Sequence, residues 1–319
     1  MITLLLSFSV ASAAPFKLHD LEGDDGGFAS SGDAGQWEWG AVVNGPGSGF
    51  DGANAWSTGR VADYLNASTD YLEIPVPSLL GLSRPMLSFQ HWYELVPGDA
   101  GWLEVDNGNG WDALEPLYGY PVATGYTGAT GGWRTAVFDL SGQGASPAVR
   151  LVFQTDLSGV AAGWTIDQVA FHDGDVAAPR LWDLTALADT DDLVGPYVVE
   201  VAAEDDTEVA AVDLVWAIDG VTSRVAMAPA GGDRWAGAIP AQAPDTVVTY
   251  WVEGMDGLNA SREPIDASAS FRVYLPAPTA LTGPVGRVVA LEASLSWTPP
   301  SGRNEVLSYE VLRGDTVVA

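Results

Sequence analysis

The sequence contains no cysteine and a single lysine, Lys17, in 319 residues. The first absence excludes disulfides, a thiolate zinc site and a cysteine nucleophile. Stability must therefore come from packing or from a bound metal. Basic residues are scarce altogether. The chain holds 13 Lys and Arg against 42 Asp and Glu, a formal net charge of −29. Such a field repels phosphate backbones and anionic lipid surfaces, which argues against nucleic acid as a partner. Histidine is limited to His19, His91 and His172, far apart in sequence, so a His-rich zinc centre or a His-dependent triad has little to be built from. The sequence also has no His-Glu-x-x-His, Gly-x-Ser-x-Gly or Gly-x-x-x-x-Gly-Lys pattern. After the first 15 residues, no apolar run approaches the ~18 residues of a membrane-spanning helix.

What is present points outward from the cell and to strands. Residues 1–14 form a short apolar core ending in Ala11-Ser12-Ala13-Ala14, the pattern of a secretory signal, though without the usual basic start. Beyond it, apolar residues make up 47% of the composition, enough to bury substantial cores. Helical periodicity is nearly absent. Short alternating runs recur instead, rich in β-branched and aromatic residues and bounded by Gly, Pro, Asn or Asp. They are Pro85–Tyr93, Gly101–Val105, Ala148–Gln154, Trp164–Phe171, Tyr197–Ala202, Ala211–Ile218, Thr246–Glu253 and Ser270–Leu275. Period two with turn residues between the runs predicts an all-β chain of antiparallel sandwiches. Trp92, Phe89, Leu87, Trp164, Ile166 and Val169 are expected to share one core. Pro-containing breaks at 173–179 and 275–278 set the boundaries. The expected domains are 15–176, 177–276 and 277–319, and the first two carry nearly all of the acidity.

The first domain resembles the jelly-roll module related to MAM domains that accompanies secreted metallopeptidases of the immune inhibitor A type. The resemblance rests on seven pieces in order: Leu21–Phe28, Trp37–Gly40, Asp51–Trp56, Tyr71–Pro75, Leu87–Tyr93, Trp133 with Phe138–Ser141, and Gly163–Val169. It implies a jelly-roll β-sandwich with a cation between the first strand, an early loop and the last strand. Carried over by position, the metal candidates are Glu22, Asp51 and Asp167, with Asp24 as a possible addition and Ca2+ as the implied ion. Calcium favours several hard oxygen ligands. Gln168 stands where the family has a second Asp, which removes one carboxylate. Residues 177–276 resemble a bacterial immunoglobulin-like module. Residues 277–319 resemble the first half of a fibronectin type III domain, through Leu295–Pro300 and Tyr309–Arg313. Such a domain needs seven strands, so more chain is expected after Ala319.

Other candidates come from the residues themselves. Asp106-Asn107-Gly108-Asn109-Gly110-Trp111 reads as a hairpin turn, its Asn-Gly steps suiting positive φ. Trp37, Trp56, Trp102 and Trp111 lie beside polar, turn-like sequence and are the candidates for an exposed aromatic platform. Trp92, Trp133 and Trp164 lie in strand patterns and are expected in the core. The acidic groups Asp189, Asp191 and Asp192, and Glu204, Asp205 and Asp206, read as solvated loops, with calcium as the alternative. The sequence thus predicts a secreted or cell-surface, non-catalytic protein of β-modules for binding or adhesion, whose jelly roll takes an extracellular glycan or protein ligand. The alternative is the accessory, non-catalytic region of an immune inhibitor A-like metallopeptidase whose catalytic domain lies outside this chain.

Overall fold

The computed structural model describes residues 14–265 and 267–275, together with four short strand segments beyond them. The signal-sequence expectation falls on residues outside the described ones, apart from Ala14. The described structure is all-β and its strands pair antiparallel, beside one isolated parallel bridge between Thr190 and Val273, and the chain divides into two compact units, Met1–Ala177 and Ala178–Ala319.

The first unit is a two-sheet sandwich of β1 (Lys17–His19), β2 (Ala29–Gly32), β3 (Glu38–Ala41), β4 (Asn54–Ser57), β5 (Thr69–Ile74), β6 (Pro85–Leu95), β7 (Ala100–Asp106), β8 (Trp111–Leu114), β9 (Gly128–Ala129), β10 (Arg134–Asp139), β11 (Ala148–Gln154) and β12 (Gly163–Asp173). One sheet runs β10-β6-β12-β4-β3, with β1 also on β12 and β9 on β6; the other runs β2-β5-β11-β7-β8. The chain passes between the two sheets at every step except β3 to β4, β7 to β8 and β9 to β10, as a jelly roll does.

Alternation places the core. Along β6, Leu87, Phe89, His91, Tyr93 and Leu95 are buried, while Ser88, Gln90, Trp92 and Glu94 alternate outward. Trp92 therefore does not join Leu87 and Phe89, contrary to the expectation above. It is half-buried on the outer face, where a Cβ on Gly45 would come within 2.6 Å of its ring. Along β12, Trp164 and Ile166 point inward. The register against β6 then shifts between Asp167 and Ala170, with Gln168 at φ 48. This bulge adds a residue and returns Val169 and Phe171 to the same core. All three histidines are buried. His91 lies among Tyr126, Tyr93 and Phe89 with ring centroids 4.6, 5.4 and 5.6 Å away. Burial pushes its pKa down to about 3, so it is a neutral core residue.

The second unit pairs two further sheets built from β13 (Arg180–Trp182), β14 (Tyr197–Glu204), β15 (Ala211–Ile218), β16 (Val221–Ala226), β17 (Ala228–Gly231), β18 (Arg234–Ile239), β19 (Thr246–Met255), β20 (Ala260–Glu263) and β21 (Ala269–Val273). Their orders are β13-β14-β18-β17 and β16-β15-β19-β20, with β21 also on β19. Val199, Val201, Leu214, Val248, Tyr250 and Phe271 form its core. The β15–β16 hairpin turns through Asp219 and Gly220, both at positive φ (49 and 79), the conformation a two-residue hairpin needs. Most of the expected fibronectin segment, 277–319, lies outside the described residues. Within it, β22 (Thr279–Thr282) pairs with β23 (Ser296–Thr298), and β24 (Leu312–Arg313) pairs with β25 (Thr316–Val317).

Candidate functional site

Two places in the first unit concentrate chemistry. One is a carboxylate cradle beneath a glycine-rich loop, and the other is the outer face of the β2-β5-β11-β7-β8 sheet.

The cradle follows from how β12 is paired. Its first half, at Thr165 and Ile166, is bonded to β4; its second half, at Val169 to Phe171, is bonded to β1. Asp167 stands at the break, on the bulge, and its carboxylate takes up backbone donors that strand pairing leaves over. Oδ2 accepts from Phe50 N at 2.7 Å and, less closely, from Asp51 N at 3.4 Å, while Oδ1 accepts from Gln168 N at 2.7 Å. Glu22, just beyond β1, holds the other side of the same loop. Its Oε2 accepts from Ala53 N and its Oε1 from Asn54 N, both at 3.1 Å. Two glycines make this approach possible. A Cβ on Gly52, at φ +114, would overlap the Glu22 carboxylate, and one on Gly49 would sit 2.9 Å from Asp167 Oδ2.

Glu22 and Asp167 are thus brought to one loop. The Asp51 side chain is exposed, and Asp24 accepts from Gly26 N in a local turn at 2.9 Å. Asp167 has no exposed surface. Burial above all, with the charge of Glu22 adding, raises its pKa from 3.8 to about 6, against the lowering pull of its three backbone donors. Every oxygen of the two carboxylates accepts a backbone N–H, whereas calcium favours several hard oxygen ligands. A raised carboxyl pKa favours the folded state while the group is protonated. Its stabilisation is therefore complete below about pH 4 and is lost as the pH rises through about 6. The shift from 3.8 corresponds to about 3 kcal/mol over that window. In calcium-free buffer, melts between pH 4 and 7 are expected to show this slope, and Asp167→Asn to flatten it.

The outer sheet face is built across four strands. Tyr71 of β5, Arg150 of β11 and Trp102 and Glu104 of β7 all point away from the core, and Trp111 opens β8 opposite Asp106. The Arg150 guanidinium lies 4.1 Å from the ring centroids of both Tyr71 and Trp111. Glu104 Oε2 pairs with it at 2.8 Å (Nε) and 2.6 Å (Nη2). Glu104 Oε1 accepts the indole N–H of Trp102 at 3.0 Å. Ring, guanidinium, carboxylate and second ring therefore hold one another in fixed rotamers. This pair is mostly covered, with side-chain exposures of 18% and 16%. Glu104→Gln is expected to cost about 1–3 kcal/mol by leaving Arg150 without its charge partner, measured as a loss in unfolding free energy.

Asp106–Trp111 forms the hairpin turn between β7 and β8, as expected. Asp106 Oδ1 accepts from Gly108 N at 2.7 Å and Gly110 N at 3.0 Å, which aims Trp111 onto Arg150. Of the four platform candidates, Trp102 and Trp111 are half-buried on this face. Trp37 and Trp56 are not exposed, contrary to expectation. Trp37 packs against Trp164 at 5.5 Å, and Trp56 stacks on Phe28 at 6.3 Å while donating to Asp25 O. Trp164 is fully buried, but Trp133 is only half-buried and meets exposed Phe50 edge-on at 5.8 Å. Asp189 accepts from Arg272 N, Asp192 from Val194 N, Asp205 from Thr207 N, and Glu204 pairs with Arg180.

Comparison with known proteins gives a partial match. Bacillopeptidase F of Bacillus subtilis (strain 168) is 28% identical over 155 residues, which is 48% of this chain and 10% of that protein. No family model matches. Among solved structures, a β-1,2-glucanase from Parabacteroides distasonis superposes at a TM-score of 0.31, with 13% identity over 78% of this chain and 37% of its own. The chicken interferon gamma receptor alpha chain superposes at 0.23, with 12% identity over 72% of this chain and 92% of its own. TM-scores of this size extend no function to this chain. The sequence relationship covers about half of this chain and a tenth of the curated relative, a match on the scale of one module within a much longer protein.

Proposed function

We propose that the chain is a non-catalytic, extracellular binding region belonging to a larger exported protein of the peptidase-associated kind, with the outer β5-β11-β7-β8 face of the first sandwich as its recognition surface for a glycan or protein. The observation that supports this most is the module-sized match to bacillopeptidase F. The rotamer-locked set Tyr71, Trp102, Glu104, Trp111 and Arg150 adds a surface whose side chains are already ordered, so binding there costs little conformational entropy. A calcium ion held by Glu22 and Asp167, with Asp51 from the loop between them, belongs to the same reading as a brace for that loop.

The test is to incubate the full chain with immobilised extracellular polysaccharides and polypeptides and to follow both retention and product release. Retention without new reducing ends or new amino termini is expected, and turnover would refute the reading. Millimolar calcium is expected to raise the Tm, since native-state binding must stabilise. An unchanged Tm would remove the ion.

A further inference from the structure

Several solvent-facing rings of this acidic chain hold an arginine of the chain itself. Arg150 lies between Tyr71 and Trp111, Arg262 lies 4.3 Å over Trp251, and Arg180 lies 5.3 Å over Trp182. Trp251 is further fixed by its indole N–H, which Glu253 Oε1 accepts at 2.8 Å, two residues on along β19. Trp102 repeats that arrangement in the first unit. It is half-buried and outward-facing, and its indole N–H is held by the carboxylate two residues on along β7. It differs in one respect. Among the described residues, the arginine–ring contacts fall on Tyr71, Trp111, Trp182 and Trp251, and none falls on Trp102.

We infer that the Trp102 ring receives an arginine or lysine side chain of a basic polypeptide partner. The inference rests on the outer sheet face being the recognition surface. Charge complementarity selects the occupant. The face adds exposed Glu73, opposite Arg150, with exposed Glu115 just past β8, and among the described residues its cation, Arg150, is already neutralised by Glu104. The whole chain carries −29. A cation over an indole face gains from the ring quadrupole, and the long-range negative field steers basic partners to the surface in a salt-dependent way. A guanidinium suits the place best, being planar, weakly hydrated and always charged. A neutral sugar stacked on the same ring would gain nothing from the charge.

The test is calorimetric titration of the full chain with a hexa-arginine peptide, with hexa-glutamate and a neutral cello-oligosaccharide as comparisons. It uses the parent chain, Trp102→Leu and Trp251→Leu. Saturable hexa-arginine binding is expected, weakened about tenfold by Trp102→Leu and little changed by Trp251→Leu, and falling as salt rises. If Trp102→Leu does not fold, Trp102→Phe keeps a weaker ring and should weaken binding about two- to fivefold. Equal affinity in the parent and Trp102 variants would mean diffuse charge attraction and would overturn the inference, as would no binding of hexa-arginine. Trp102-dependent binding of the oligosaccharide alone would keep the recognition face and remove the basic partner.

Discussion

Trp164→Ala is expected to cost the first sandwich about 3–5 kcal/mol, the largest single effect in the chain. Trp164 has no exposed surface. Its ring meets Trp37 at 5.5 Å, Tyr126 at 5.7 Å and His91 at 6.4 Å. Gly101 of the facing sheet is a glycine because a Cβ there would run into the indole ring. Removing the ring leaves a cavity walled by other rigid aromatic groups, which collapse poorly. No disulfide limits the damage, since the chain has no cysteine. Because two units unfold in one chain, the loss should be read from hydrogen exchange of β6 and β12 amides and not from a single global midpoint. A loss below about 1 kcal/mol would show that the sandwich does not depend on this anchor.

Asp70→Ala is expected to cost about 2–3 kcal/mol for a different reason. Asp70 is an inward-facing carboxylate of β5 with no exposed surface. Its Oδ1 accepts from Ala34 N at 3.0 Å, Gly35 N at 2.6 Å and Gln36 N at 3.4 Å, and its Oδ2 accepts from Gln36 Nε2 at 3.1 Å. These donors belong to the turn between β2 and β3, which no strand pairing satisfies. Without the carboxylate the buried Gln36 N–H loses its acceptor and the turn loses the group that gathers it, while Ala34 and Gly35 lie at its exposed end. Asp33→Ala is the control, since exposed Asp33 accepts only from Thr69 N, at 3.0 Å, and should cost below about 1 kcal/mol. The two variants are compared by hydrogen exchange of the β5 and β11 amides, which belong to the first unit. Equal losses would show that burial of Asp70 is not what makes its bonds count.

The strands were largely legible because alternation is a local property. The runs Ala148–Gln154 and Ala211–Ile218 are strands with those bounds, and Pro85–Tyr93 extends only to Leu95. Tryptophan exposure was less legible. Polar neighbours of Trp37 and Trp56 mark nearby turns, and they say nothing of Trp164 or Phe28 arriving from far along the chain. Hydrophobicity alone would put Trp92 inside, but its parity differs from that of Leu87 and Phe89, and the strand geometry overrules it. The Glu22–Asp167 meeting depends on a bulge at Gln168 that no propensity announces. The Tyr71–Arg150–Trp111 stack needs the register of β5, β11, β7 and β8, which sequence spacing does not carry.

The most direct measurement is a hydrogen-exchange footprint of the full chain with and without the ligand class it retains. Slower exchange confined to Thr69–Ile74, Ala100–Asp106, Trp111–Leu114 and Ala148–Gln154 is the predicted outcome. Protection on Arg134–Asp139 and Pro85–Leu95 instead, with the tryptophan-bearing face unchanged, would contradict the assignment of recognition to that face.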